Sequence, residues 1–207
     1  MENYWYLGRW ARIPVSMHWT VLLALPWLWL MMGDLLAAVI ASAAYFVLLV
    51  AHESGHALMA RRRGLSVQGI TLSGLHGETS HDYPRTPRDD VLIAWSGVGA
   101  QFLILLLALA AEYVLPDVAS REVEVFAAPV LMVFTRWNLF LMIVALLPIG
   151  PMDGHRAWRI IPMIRQSLGR GRSSGKVVKL DAGKRRQLQQ KSEKAAADII
   201  QKLGKKK

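Results

Sequence analysis

The stretch Leu35 to Arg63, LLAAVIASAAYFVLLVAHESGHALMARRR, decides how the rest of the chain is read. From Leu35 to Ala51 it carries no charged residue, and an apolar run of about 18 residues or more reads as a helix that crosses a bilayer. At its end stand His52-Glu53-Ser54-Gly55-His56. Positions four apart share one face of a helix, so the two imidazoles converge on one point, where they can hold a metal ion. Glu53 lies beside them, placed to take a proton from water at that metal, and the pattern is the helix signature of a zinc hydrolase. Two His and a Glu inside lipid are costly, which makes an intramembrane site the default reading. A chance match on a soluble core helix is the alternative. The length of the apolar flank argues against it.

Composition agrees. Of 207 residues 53% are hydrophobic, yet the formal net charge is +10. That mixture is natural where apolar spans and basic loops are segregated. The 8 Trp suit a membrane–water boundary. With no Cys in the chain, any zinc must be held by His, Asp or Glu.

The expected fold is an all-α polytopic membrane protein of about four transmembrane helices. The apolar stretches run from about Val15 to Met32, Leu35 to Ala60, Val91 to Leu115 and Val125 to Leu147. The first follows an aromatic leader, MENYWYLGRWARIP, and lacks a small-x-small cleavage site, so it is read as a retained span. The fourth breaks at Pro148-Ile149-Gly150-Pro151 and resumes to about Leu168. Residues 1–168 then form a membrane-embedded domain and 169–207 a basic cytoplasmic tail. With Arg61-Arg62-Arg63 inside, every Lys and Arg except Arg121 and Arg136 falls on the cytoplasmic side. The positive-inside rule thus predicts both termini in the cytoplasm. The basic tail is explained by the same rule, and without aromatic interleaving it does not suggest nucleic-acid binding.

A third ligand is expected at the depth of His52 and His56. Asp153 follows the Pro-Gly-Pro break on a span running inward. Irregular backbone at membrane depth is tolerated only where it is buried in protein or lines a wet cavity. Two His and one Asp would leave a fourth zinc position open, as a catalytic site requires. The alternative reading of Asp153 is the N-cap of the helix that restarts after the break, or both cap and ligand.

HESGH in one span and Leu146-Leu147-Pro148-Ile149-Gly150-Pro151-Met152-Asp153-Gly154 in a later one resemble the site-2 protease family of membrane-embedded zinc metalloproteases. The resemblance covers roughly residues 35–168. It implies one zinc held by His52, His56 and Asp153, Glu53 as catalytic base, and a three-helix core made of the second to fourth spans. It also implies cleavage of transmembrane or membrane-anchored protein substrates within or near the bilayer. The chain departs from the family pattern at Ala145, where Asn is common, and at Gly150 and His155. Ser96-Gly97-Val98-Gly99-Ala100-Gln101 resembles the family's Gly-Pro-x-x-Asn element with Val98 and Gln101 substituted, and Asn138 matches a second family Asn.

Other readings stand beside this one. Leu65 to Leu72 alternates like a strand, as a small cytoplasmic hairpin whose exposed edge pairs with unwound substrate, or as an amphipathic hairpin on the membrane surface. His76, Glu78, His81 and Asp82 form a polar cluster, either a second metal site or a solvated loop. His18 is read as interfacial, Gly97 and Gly99 as helix-packing positions, and Arg136 as an outer-face anchor beside Trp137. Lys184 to Leu203 can form a helix on anionic lipid. A non-proteolytic zinc-binding membrane protein, transporter or scaffold, is the competing function, and the intact Glu53 argues against it. The compact form suggests a bacterial plasma membrane. Nothing in the sequence names the substrate or sets an oligomeric state.

Overall fold

A computed structural model of the chain describes residues 3–74, 76–118, 120–150, 152–172, 186–187 and 189–195. It divides into two compact units, Met1–Met163 and Ile164–Lys207. Within the second, the described residues are helical. Most of the basic tail, and most of the helix expected from Lys184 to Leu203, lie outside the described residues.

The uncharged run folds as one helix, α2 (Leu35–Arg62). Asp34 caps it, its carboxylate accepting from the Ala37 N–H at 2.6 Å, and Arg61 and Arg62 sit at the negative end of the helix dipole. Before it comes α1 (Ala24–Met32), which Gly33 ends in a left-handed turn at φ 71°. α3 (Pro87–Val118) opens with Pro at its first position, where no N–H is needed. The Thr86 hydroxyl accepts from the Asp89 N–H at 3.2 Å and caps the start. The last apolar stretch is not one regular helix. It comprises α4 (Arg121–Met132), a π-helical segment at Val133–Trp137 and α5 (Asn138–Ala145). A turn leads to α6 (Gly154–Ala157) and α7 (Ile160–Arg172).

Among the described residues three helices are long and apolar enough to cross a membrane: Leu35–Arg62, Pro87–Leu115 and Val125–Ala145. The expected first span, about Val15 to Met32, is not one continuous helix. Val15 to His18 belong to a strand, and the apolar helix runs only from Trp19 to Met32. Its length, roughly 20–25 Å, falls short of the ~30 Å hydrocarbon core.

The strands are the larger departure from an all-helical expectation. β1 (Tyr4–Trp10), β2 (Ile13–His18), β3 (Val67–Leu72) and β4 (Gly77–His81) form one sheet in the order β1-β2-β3-β4. β2 and β3 are parallel, and the outer pairs are antiparallel. The predicted strand at Leu65 to Leu72 is therefore present, but as an internal strand. The free edges belong to β1 and β4. Ile13, Val15, Ile70 and Leu72 pack on Leu49 and Ala57 of α2 in one buried cluster. Arg61 Nη1 donates to the Ala11 carbonyl at 2.7 Å at one end of the sheet, and the Tyr45 hydroxyl donates to the Gly74 carbonyl at 2.5 Å at the other. These anchors are roughly 24 Å apart along α2, so the sheet runs beside the helix instead of capping its end. His18 is not merely interfacial in position: its Nδ1 accepts from the Thr20 N–H at 3.4 Å and caps the Trp19–Leu23 turn.

α2 and α3 cross where both are narrow. A Cβ on Gly55 would lie 2.9 Å from the Ser96 carbonyl carbon and 3.1 Å from the Gly97 Cα. Both are backbone atoms, so the helices themselves would have to separate. Gly55→Ala is expected to cost about 1–3 kcal/mol through overpacking and to lower the melting temperature in detergent. Gly99→Ala, where an added Cβ meets nothing within 4 Å, is expected to leave it unchanged. Thermal unfolding of the two variants side by side is the measurement.

Candidate active site

One turn of α2 and the break after α5 bring three side chains to one point. His52 Nε2 lies 3.0 Å from His56 Nε2, and Asp153 Oδ2 lies 3.0 Å from the first and 3.1 Å from the second. His56 is buried, while His52 and Asp153 are half-buried. Gly97 of α3 makes room for the rings: a Cβ there would come within 2.6 Å of the His56 Cε1 and 2.8 Å of the His52 Cε1. The packing role expected for Gly97 is thus against the imidazoles, and Gly99 touches nothing comparable.

Each imidazole is oriented from behind. His56 Nδ1 donates to the Ile93 carbonyl at 2.7 Å. A carbonyl only accepts, so the proton must sit on Nδ1 and leave a lone pair on Nε2. His52 Nδ1 donates to Gln101 Oε1 at 2.9 Å, with the same result. Gln101 is buried at 4% exposure and is itself held, its backbone carbonyl accepting from Asn138 Nδ2 at 2.9 Å. Sequence comparison alone marked Gln101 as a departure from a motif. Its place behind His52 becomes visible only once α3 is set against α2.

Asp153 arrives by a folded path. Past α5, the Ile149 N–H donates to the Leu147 carbonyl at 2.8 Å and the Met152 N–H to the Ile149 carbonyl at 2.9 Å. Indole donors hold the far side: Trp158 Nε1 bonds the Leu146 carbonyl at 2.7 Å, and Trp95 Nε1 the Ala157 carbonyl at 3.1 Å. Arg156 pairs with Asp90 of α3, and Arg159 reaches the same carboxylate at 3.2 Å. Asp153 stands at the N-cap position of α6, but its side chain makes no capping hydrogen bond. Its carboxylate is turned to the two imidazoles instead.

The arrangement fits a metal ion. Three acceptor atoms, two of them imidazole lone pairs, face one another at about 3 Å with no proton left between them. Such a set repels itself unless a cation sits among them. Zinc bonds of ~2.0–2.1 Å in a tetrahedron place neighbouring ligand atoms roughly 3.3 Å apart, close to the separations here. Among the described residues, this trio is the group of His, Asp and Glu side chains that can hold a metal. Among the described residues His76, Glu78, His81 and Asp82 do not form a second metal cluster, one of the two readings of that loop. Asp82 accepts from the Ser66 N–H at 3.0 Å and Gln68 Nε2 at 2.8 Å, and His81 Nδ1 bonds the Asp82 carbonyl at 2.7 Å, so both serve the end of the β3–β4 pair.

Glu53 is buried at 3% exposure. The Thr79 hydroxyl of β4 lies 2.7 Å from its Oε2. Around these groups opens a cavity of about 530 Å³ whose walls include Leu49, Phe140, Val144, Thr79 and Arg156. The site is a pocket with apolar helical walls on one side and a strand on the other.

A histidine pair on a membrane-type helix, joined by an aspartate from a later helix break, is a donor set that could hold a metal ion in a membrane protein. Comparison with known proteins narrows it. No family model matches the chain. It is 30% identical over 201 residues to the protein named "Putative zinc metalloprotease Rip3" of Mycobacterium tuberculosis, in two strains, covering 84% of this chain and 49% of that one. The chain thus spans about half the length of the curated relatives it matches. It also matches the structure of a site-2 protease from Methanocaldococcus jannaschii with a TM-score of 0.61 and 25% identity, over 76% of this chain and 71% of that one. Both comparisons support the site-2 protease family for this chain, and together with the three apolar helices they support an integral membrane protein.

Removing the acceptor behind His52 should loosen the metal without touching a ligand. Gln101→Leu is expected to lower zinc affinity about 10–100-fold, the usual effect of losing such a partner. Competition for zinc with a chromogenic chelator measures it, and affinity equal to wild type would remove Gln101 from the site.

Proposed function

We propose that the chain is a zinc-dependent intramembrane endopeptidase that cleaves transmembrane or membrane-anchored proteins within or near the bilayer. One zinc per chain is held by His52, His56 and Asp153, and Glu53 is the general base. The observation that carries this reading is the trio of acceptor atoms about 3 Å apart, both Nδ1 protons being committed elsewhere. Zinc bound there supplies a Lewis acid that acidifies water and polarises the scissile carbonyl. Glu53 takes the proton of the attacking water on its carboxylate and passes it to the leaving nitrogen. Leu49, Phe140 and Val144 line an apolar approach suited to a segment leaving lipid. A helical substrate must unwind to expose its peptide bond, and the free edge of β4 beside the cavity offers backbone partners to an extended segment.

We also propose four crossings, both termini in the cytoplasm of a bacterium, a membrane domain over 1–168 and a basic cytoplasmic tail over 169–207. The anchors along α2 support the first of these. β2 starts near Arg61, and the chain then runs through the Trp19–Leu23 turn and α1 to the start of α2 at Leu35. Strand and short helix together cover roughly 40 Å, about the length of α2. The first crossing is thus composite, and β2 has neighbours on both edges, so its backbone is paired at depth.

Glu53→Gln is expected to keep zinc and lose cleavage, since general-base catalysis is worth about 10²–10⁴-fold. Asp153→Asn is expected to lose both, because a neutral amide is a poor zinc ligand. The measurement is cleavage of a helix-destabilised transmembrane model substrate in liposomes, with zinc determined on the same samples. Stoichiometric zinc with no cleavage across a panel of substrates would favour a non-proteolytic zinc binder. For topology, the chain has no Cys, so single cysteines report cleanly. Ser120→Cys is expected to react with an impermeant thiol reagent from outside intact cells, and Tyr83→Cys only after permeabilisation.

A further inference from the structure

β4 belongs to the sheet, yet two of its residues close on Glu53. The Thr79 hydroxyl lies 2.7 Å from Glu53 Oε2 and 3.1 Å from the Glu53 backbone carbonyl. Both are acceptors, and Thr79 has the donor. Two residues earlier on the same face of the strand, Gly77 presses on the other side of the same carboxylate. A methyl group at Gly77 would stand 2.5 Å from Glu53 Oε1 and 2.6 Å from its Cδ. Glutamate has three side-chain torsions, and a free one occupies many rotamers whose freedom is lost when it is fixed. Here one oxygen is tethered and the other is walled in, leaving Glu53 3% exposed.

We propose that β4 positions the general base, with Thr79 as its tether and Gly77 as the wall that only a missing side chain permits. The inference rests on the reading of Glu53 as the base, and it assigns the sheet a part in catalysis. Each is assigned its part through Glu53 and not through the reacting atoms, so both are positioning residues. The chemistry needs a carboxylate aimed at the water it deprotonates, and a misplacement of about 1 Å can cost on the order of 10²-fold. The tether removes the rotamers that would swing Glu53 into the cavity. The spacing of two residues is required, because side-chain positions on a strand repeat with period two and residues 77 and 79 face the same way.

The two positions give separable tests. Thr79→Val keeps the shape and β-branching but removes the hydroxyl. It is expected to lower kcat roughly 10- to 100-fold with KM and bound zinc unchanged, and Thr79→Ser is expected to recover most of that loss. Gly77→Ala is expected to lower kcat similarly: the atoms it meets are the end of a flexible side chain, so the fold yields by moving Glu53. A readout independent of turnover is the visible d–d spectrum of the cobalt(II)-substituted protein. Thr79→Val, Gly77→Ala and Glu53→Gln are expected to shift it, and Thr79→Ser to leave it as in wild type. If Thr79→Val matches wild type in kcat and spectrum while Glu53→Gln does not, the tether is refuted and the base survives. If Glu53→Gln cleaves as well as wild type, the base assignment falls and this inference with it. A loss of kcat that Thr79→Ser does not recover also overturns it, since the hydroxyl would then not be the cause.

Discussion

The constraint on which the rest of this protein depends is the close crossing of α2 and α3 at Gly55 and Gly97. Facing His52 and His56, a residue with any Cβ at Gly97 would occupy the space of the imidazoles. At Gly55 a Cβ would press on the α3 backbone. Only with both positions bare can Ile93 and Gln101 reach the two Nδ1 atoms from the far side. Those bonds fix which nitrogen faces the metal point. In lipid there is no hydrophobic force to drive helices together, and small residues at crossings gain their stability from packing alone. Here that packing also gives the two imidazole Nδ1 atoms their acceptors.

A second requirement is that Asp153, far along the sequence, be delivered to the same point. The break after α5 does this, and its polar backbone would be costly at membrane depth without partners. Leu146, Leu147, Ile149 and Ala157 offer carbonyls that turn N–H groups and the Trp158 and Trp95 indoles satisfy. Asp90 gathers Arg156 and Arg159 at the start of α3. Asp153 is therefore tied to the helix that orients His52 and His56.

The catalytic helix was legible in the sequence because its signals are local. An uncharged run, an i, i+4 histidine pair and a terminal arginine triplet are all read within one helix. Asp153 was legible from depth and from the break before it. The sheet was not. Ile13 and Val15 alternate as a strand should, but Leu22 to Met32 follow without interruption and blur strand into span. The turn of the β1–β2 hairpin uses Ala11 and Arg12 at φ 46° and 70°, so no Asn-Gly or Gly-rich signal marks it. β2 and β3 are parallel and pair across the whole of α2, a contact that no window of sequence contains. Thr79 and Gln101 stayed hidden for the same reason: each acts on a residue of another element.

The π-helical segment joins these themes. In it the Asn138 N–H reaches back to the Val133 carbonyl, bypassing Phe134. The bypassed Phe134 carbonyl accepts instead from the Asn138 side chain at 3.1 Å, and the remaining Nδ2 proton goes to the Gln101 carbonyl at 2.9 Å. A regular helix would have used the Phe134 carbonyl for its own ladder, so the irregular turn makes room for a side-chain amide that stitches α5 to α3. Asn138 is fully buried, and among the described residues its Oδ1 finds no partner. An orphaned acceptor costs about 1–3 kcal/mol. That cost is borne one step behind Gln101, which is itself one step behind His52. The irregular turn and one unmet acceptor therefore stand along the line that runs from α5 through Gln101 to His52.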